Sequence, residues 1–179
     1  EPVTVGLSGG ADSLALLAAA VAEGQDVHAM IIDHQLQETS GQVADTARRQ
    51  AEELGVPAQV RAVTVAPGNL EARAREARYG ALFSAGREVW VGHTRDDQAE
   101  TLLLGALRGN PAGMVARSGR LVRPLLTVRR TDTVGACTEL GLIPWQDPHN
   151  EDTAFRRVAL RRQFLPQLGE LIGGDAVEQ

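Results

Sequence analysis

Short runs of β-branched residues alternate along the chain with longer stretches in which Ala and Leu recur at helical spacing among Arg and Glu. Residues 3–7 predict a first strand, and residues 12–23 a helix closed by Gly24. A second strand over 27–32 leads through a polar loop to a helix over about 42–54, closed by Gly55. A strand over 58–65 and a helix over 70–84 follow, then a strand over 89–92 and a helix over 97–107. Residues 121–122 predict a short fifth strand before Pro124. Strands alternating with helices of this length predict an α/β fold, a Rossmann-like parallel sheet flanked by helices. Beyond Pro124 the pattern changes to a helix over 128–140, the turn-rich string GLIPWQDPHNED, and an Arg-rich helix over about 153–165. The expected organisation is one domain over 1–168, with a sheet core to about 126 and a helical extension over 127–168. Residues 169–179 read as a tail or linker.

A length of 179 residues suits one domain with a hydrophobic core. Apolar residues at 43% argue against disorder, and aromatic residues at 3% leave the core to Ala, Val, Leu and Ile. The longest apolar run, residues 14–22, is too short to span a bilayer. The opening EPVTVGLSGG lacks the basic region and cleavage pattern of a secretory signal. The single cysteine, Cys137, excludes an intramolecular disulfide and a Cys-rich metal or iron–sulfur site, and reads as a small core residue. Together these features predict a soluble, cytoplasmic protein without a membrane partner. All 18 basic residues are Arg, which removes the lysine of a Walker A loop and lysine Schiff-base chemistry. The net charge of −5 hides an asymmetry, because residues 101–131 and 153–168 carry arginines and no acid.

Chemistry concentrates where the predicted strands end. The first strand runs into SGGADS and then into a helix. Gly9 and Gly10 let the backbone turn tightly and bring its N–H groups up to an anion. The helix starting near Asp12 adds free amides and the positive end of its dipole. Ser8 and Ser13 supply hydroxyl donors, and Asp12 a ligand for the Mg²⁺ that travels with a nucleotide. An ordinary βα turn with capping Ser and Asp is the alternative; the whole six-residue string between strand and helix favours a phosphate site. His93, Asp96 and Asp97 lie at the end of the fourth strand, which in an open α/β sheet faces the same crevice. There Asp96 would cap the helix and Asp97 complement its dipole, roles compatible with binding.

SGGADS resembles the pyrophosphate loop of the PP-loop ATPases, which cleave ATP between its α- and β-phosphates. Further segments narrow the resemblance: IIDHQLQ, EARAREARY, GHTRDDQAETLLL, RPLL and DPHNED…FRRVALRR. In this order they are similar to the tRNA(Ile)-lysidine synthetase family and cover nearly the whole chain. The resemblance implies an adenylating ligase acting on the wobble cytidine of a tRNA(Ile) with a CAU anticodon. ATP activates the base carbonyl, the ε-amine of free L-lysine attacks, and AMP leaves. It implies ATP and Mg²⁺ as cofactors, and it leaves a homodimer open. Most members of that family carry a tRNA-binding helical or C-terminal domain after the catalytic one, so the resemblance implies a match to the catalytic domain.

Carried over by position, the resemblance assigns Ser8, Gly9, Gly10, Ala11, Asp12 and Ser13 to the ATP phosphates, and His34, beside Asp33, to the adenosine. Asp12, Arg75, His93 and Asp97 would be catalytic, with Arg78 assisting, Asp12 holding Mg²⁺, Asp97 holding Mg²⁺ or the substrate amine, and His93 taking a proton. Arg75 and Arg78 would otherwise be surface arginines paired along their helix. His34 would otherwise be a loop histidine bonded to backbone. Thr94 stands where the family pattern has a second histidine, and Gln37 where it has an arginine. The two acid-free segments supply a candidate tRNA surface in Arg108, Arg120, Arg123, Arg157 and Arg161, with Arg117, Arg156 and Arg162 nearby; a merely solvated basic face is the alternative. Asp147 and Asn150 read as turn residues around Pro148, and Trp90 and Trp145 as packing, with base stacking an alternative for Trp145. The rival functions are an amide-forming PP-loop synthetase and a non-catalytic ATP-binding module. A cysteine-dependent tRNA thiolase is disfavoured by the lone Cys137.

Overall fold

The computed structural model describes residues 2–35, 39–64 and 70–178. Six strands form one sheet in the order β3-β2-β1-β4-β6-β5. Strand β1 (Val3–Gly6) lies between β2 (Val27–Asp33) and β4 (Val89–Val91), parallel to both. Strand β3 (Ala58–Ala62) extends the sheet beyond β2, and β6 (Leu121–Val122) extends it beyond β4. The edge strand β5 (Arg117–Ser118) pairs antiparallel with β6. The sequence carried no sign of β5, because both its residues are polar and exposed. The third strand was expected to reach Val65, which lies outside the described residues, as does Gln37.

Alternation along the strands sorts side chains between two cores. Val3, Val5 and Leu7 join Val27, Ala29 and Ile31 on one face, under helices α1 (Ala11–Ala22) and α2 (Ser40–Glu53). Met30, Val89, Val91 and Leu121 pack with Leu82 of α3 (Leu70–Phe83) on the other. Alanines let α1 lie close to the sheet, Leu14, Leu16 and Leu17 are almost fully buried in this core, and α5 (Arg130–Glu139) packs against α1. Cys137 of α5 is in this core, as expected, and its thiol touches the Ala11 carbonyl at 3.4 Å.

Strand order turns this packing into a crevice. The chain builds outward through β1, β2 and β3, then returns to β4 on the opposite side of β1. Loops leaving β1 and β4 therefore diverge at a topological switch point, where open α/β sheets bind ligands. Gly92, just past β4, sits against the start of α1. A Cβ there would lie 2.8 Å from the carbonyl carbon and oxygen of Asp12, so only glycine permits the approach.

Helix α4 (Arg95–Ala106) starts two residues earlier than the periodicity predicted, because Thr94 and Asp97 form a capping box. The C-terminal helix is longer than predicted. It runs from α6 (Arg156–Ala159) through a π-turn at Leu160–Phe164 into α7 (Leu165–Ile172). Gly173 ends it in the left-handed conformation, at φ 72°. The expected tail thus begins inside α7. Its last residues return to the start of α5, where Asp175 and Glu178 accept hydrogen bonds from Arg129 at 2.6 and 2.9 Å.

Candidate active site

The loop between β1 and α1 is fixed by its own short-range hydrogen bonds. Gly9 has φ 85°, a conformation that other residues adopt only with strain. The Ser8 amide donates to Ser13 Oγ at 3.1 Å, the Gly10 amide to Ser8 Oγ at 3.4 Å, and the Ser13 hydroxyl to the Gly10 carbonyl at 3.0 Å. From outside, the Trp145 amide donates to the Gly9 carbonyl at 2.8 Å, so the turn-rich segment braces the loop. Gly10 occupies the N-cap of α1 and no side chain caps it. The first amides of α1, and its positive dipole end, are thereby left for an anion.

Opposite this loop stands a set of carboxylates gathered by one arginine. Arg130, the first residue of α5, donates from Nε to Asp12 at 3.2 Å, from Nη2 to Asp97 at 2.6 Å and from Nη1 to Glu100 at 3.3 Å. The Thr133 hydroxyl also donates to Asp12. Thr94 holds Asp97 with its amide at 2.8 Å and its hydroxyl at 2.9 Å, which gives the residue in place of the family's histidine a definite task. Glu100 is fully buried, and Arg161 of the π-turn donates to it at 2.7 Å, with Arg157 at 3.7 Å. Asp96, expected to cap α4, instead receives the Arg130 amide at 2.8 Å and the Arg129 guanidinium at 3.2 Å, pinning α5 to α4.

The carboxyl groups respond to these surroundings in opposite ways. Burial raises Asp12 above the ordinary carboxylate range, and the Thr133 and Arg130 contacts only partly offset it. Burial also pushes Asp97 upward, but Arg130 and the Thr94 hydrogen bonds outweigh it and hold Asp97 below that range. His93 is pushed down to about 4 by burial, reinforced by Arg78, Arg123 and Arg75 against the opposing pull of Asp97. Its Nδ1 accepts a hydrogen bond from Arg123 Nε at 3.3 Å. At neutral pH His93 is a neutral imidazole and a weak base.

Helix α3 closes the crevice on a third side. The guanidinium groups of Arg75 and Arg78 lie 5.1 and 5.4 Å from the centre of the Tyr79 ring. Arg75 is exposed, and burial lowers Arg78. Burial and the charge of Arg78 likewise lower His34, against the opposing effect of Asp33. The buried Nδ1 of His34 has no hydrogen-bond partner among the described residues.

The structure thus brings Ser8–Ser13, His34, His93 and Asp97 to one end of the sheet, with Arg75 and Arg78 electrostatically coupled to His93. The five candidate tRNA arginines do not form one set. Arg108 and Arg120 are exposed, the latter 5.5 Å from the centre of the Phe83 ring. Arg123 is 8% exposed and bound to His93 and to the Val115 carbonyl at 2.7 Å. Arg157 and Arg161 turn toward Glu100.

A family model described as a PP-loop domain matches residues 1–168. The chain belongs to the PP-loop domain family. Among curated relatives, a tRNA(Ile)-lysidine synthase of Corynebacterium glutamicum is 56% identical over 99% of this chain, and one of Corynebacterium diphtheriae 61% identical over 98%. The chain spans 58% and 60% of the length of those two relatives. Among solved structures, a U34-tRNA thiolase from Methanococcus maripaludis with its [4Fe-4S] cluster has a TM-score of 0.75. It is 16% identical, and the match covers 98% of this chain and 68% of that one. An NMN synthetase from Francisella tularensis has a TM-score of 0.59 at 17% identity, over 79% of this chain and 62% of that one. At these identities the structural likeness shows the fold.

In this PP-loop domain, sequence reasoning missed Arg130, Glu100 and Thr133. One signal was available: two arginines open a helix, where the dipole disfavours cations, so another partner must hold them. No helix among the described residues is long and apolar enough to cross a membrane.

Proposed function

We propose that this PP-loop domain catalyses ATP-dependent formation of lysidine at the wobble cytidine of a tRNA(Ile) with a CAU anticodon, releasing AMP and pyrophosphate. The observation that carries the reading is identity of 53–61% over nearly the whole chain to proteins named tRNA(Ile)-lysidine synthase. Free L-lysine is the second substrate, and the cytoplasm, where tRNA and ATP meet, is the compartment.

The residues divide the work. The amides of the Ser8–Ser13 loop receive the phosphate chain, and Gly9 and Gly10 let the backbone approach it closely. Asp12 and Asp97 fit a Mg²⁺ delivered with ATP. Their carboxylates converge on one cationic group, Arg130, at 3.2 and 2.6 Å. Among the described residues no three His, Cys, Asp or Glu side chains could hold a metal alone, so phosphate oxygens and water would complete the shell. Bound there, Mg²⁺ would offset the charge that builds on departing pyrophosphate. Arg75, exposed and free to turn, faces the adenylated base, and His93 contributes a neutral hydrogen-bonding edge. His34 meets the adenosine with its Nδ1, which has no partner among the described residues. The exposed Arg108 and Arg120 contact tRNA phosphates.

The test is mass spectrometry of a CAU-anticodon tRNA(Ile) incubated with the protein, ATP, Mg²⁺ and lysine. A lysine-dependent mass gain on the wobble cytidine is expected. AMP release with no such gain would mean a different nucleophile or acceptor, as in an amide-forming synthetase. Nucleotide binding with neither product would favour a binding module.

A further inference from the structure

Arg130 holds the place a metal ion would need. All three nitrogens of its guanidinium face carboxylates: Asp12 at 3.2 Å, Asp97 at 2.6 Å and Glu100 at 3.3 Å. It does so from the first position of α5, where the helix dipole repels a cation, so the carboxylates are what keep it there. A guanidinium and a divalent ion cannot both occupy the space between Asp12 and Asp97.

Each carboxylate has a second partner that stays when Arg130 leaves. Thr133 holds Asp12, and two hydrogen bonds from Thr94 hold Asp97. Glu100, fully buried, keeps Arg161 at 2.7 Å and Arg157 at 3.7 Å. Removing the guanidinium therefore strands no buried charge, which is the usual obstacle to breaking such a network. The Arg130 side chain is 23% exposed, so it has room to turn.

We propose that Arg130 is the resident cation of the Asp12–Asp97 pair in the empty site, and that it yields this pair to a magnesium nucleotide and turns its guanidinium onto the phosphate chain. This rests on the ATP-dependent reading above. Magnesium gives up its water reluctantly, so without phosphate it gains too little to displace Arg130. A phosphate chain changes the balance by offering the planar arginine fork a new acceptor. Metal and nucleotide are then bound together, and neither is bound well alone. Arg130 thereby becomes a phosphate-contacting residue for pyrophosphate departure.

The test is Mn²⁺ binding followed by electron paramagnetic resonance, with and without the non-cleavable analogue α,β-methylene-ATP. The unaltered protein should bind Mn²⁺ weakly alone and tightly with the analogue. In Arg130→Gln the signs should split. Mn²⁺ alone should bind about tenfold more tightly, because the carboxylates have lost their cation, and the Mn²⁺–analogue complex about tenfold more weakly, because the phosphates have lost an arginine. A purely structural role would weaken both together. Arg130→Lys keeps the charge without the fork, and it should retain the exclusion of Mn²⁺ while binding the analogue more weakly; it carries the test should Arg130→Gln fail to fold. Unchanged or weaker binding of Mn²⁺ alone in Arg130→Gln overturns the resident-cation role. Unchanged analogue binding overturns the phosphate role. Failure of the unaltered protein to bind the analogue overturns the functional reading, and this proposal with it.

Discussion

The two walls of the crevice are built by different means. The Ser8–Ser13 loop is made of backbone, and its own hydrogen bonds join residues no more than five apart in sequence. The opposite wall, from α4 and α5, is made of charged side chains, and its bonds join Arg130 to Asp12 across 118 residues and to Asp97 across 33. A loop of the first kind takes its shape from its own six residues and two flanking elements, with Trp145 bracing it from outside. A network of the second kind exists only once the sheet has put β4 beside β1. Preorganised amides and a charge cluster face one another, and the proposed binding of ATP and release of pyrophosphate rest on that pairing.

The most severe way to break the pairing of these walls is Asp12→Ala, which removes the one side chain belonging to both. AMP formation should fall by about a thousandfold or more, on the scale of losing a principal transition-state contact. Persistent AMP formation in this variant would show that the phosphate site lies elsewhere. Gly92→Ala attacks the joint between the walls. Its Cβ would meet the Asp12 carbonyl at 2.8 Å. Since the obstacle is backbone, we expect a loss of about 2–3 kcal/mol in chemical denaturation, together with weaker nucleotide binding. Full stability in Gly92→Ala would mean that the approach is not tight.

Glu100→Gln separates the walls by chemistry alone, since it preserves shape while leaving Arg130, Arg157 and Arg161 without their shared anion. A loss of about 2–3 kcal/mol is expected, because removing one member of a buried ion cluster leaves the rest uncompensated. The loop of the first wall should keep its hydrogen bonds in that variant.

His93 gives a smaller effect with a definite sign. Its folded value near 4 lies below the unfolded value of 6.5, so the folded state disfavours the protonated ring. The associated stability is fully present above pH 6.5 and is lost as pH falls toward 4, with about 3 kcal/mol at stake. His93→Gln should flatten this part of the stability profile in urea unfolding at several pH values. An unchanged profile would place the titration on another group. Smallest of all, Arg108→Ala and Arg120→Ala should each weaken tRNA binding evenly across sequences and lower the slope of log affinity against log salt by about one. Arg123→Ala should act through stability instead, since Arg123 is buried against His93 and Val115.

What could be read in advance follows the same division. The four β–α pairs were legible because each is set by local periodicity, and the turn at Gly9 and Gly10 because the string joins a strand directly to a helix. Edge strand β5 was not, since two exposed polar residues leave no hydrophobic signature. The fate of the arginines was not either. Arg108 and Arg161 look alike in sequence, yet one is exposed and the other donates to a buried carboxylate, a difference decided by where α4 and the π-turn meet. Asp96 and Asp97 are neighbours with different tasks, because the capping box with Thr94 turns only Asp97 toward the crevice.

The most direct measurement is the identity of the nucleotide products when the protein is given radiolabelled ATP, CAU-anticodon tRNA(Ile) and lysine. AMP with pyrophosphate, dependent on tRNA and lost in Asp12→Ala, is the expected result, since the proposed reaction releases pyrophosphate from ATP held by the loop and the Asp12–Asp97 pair. ADP with inorganic phosphate would contradict it, because cleavage would then occur at the terminal phosphate and the two walls would serve a different transfer.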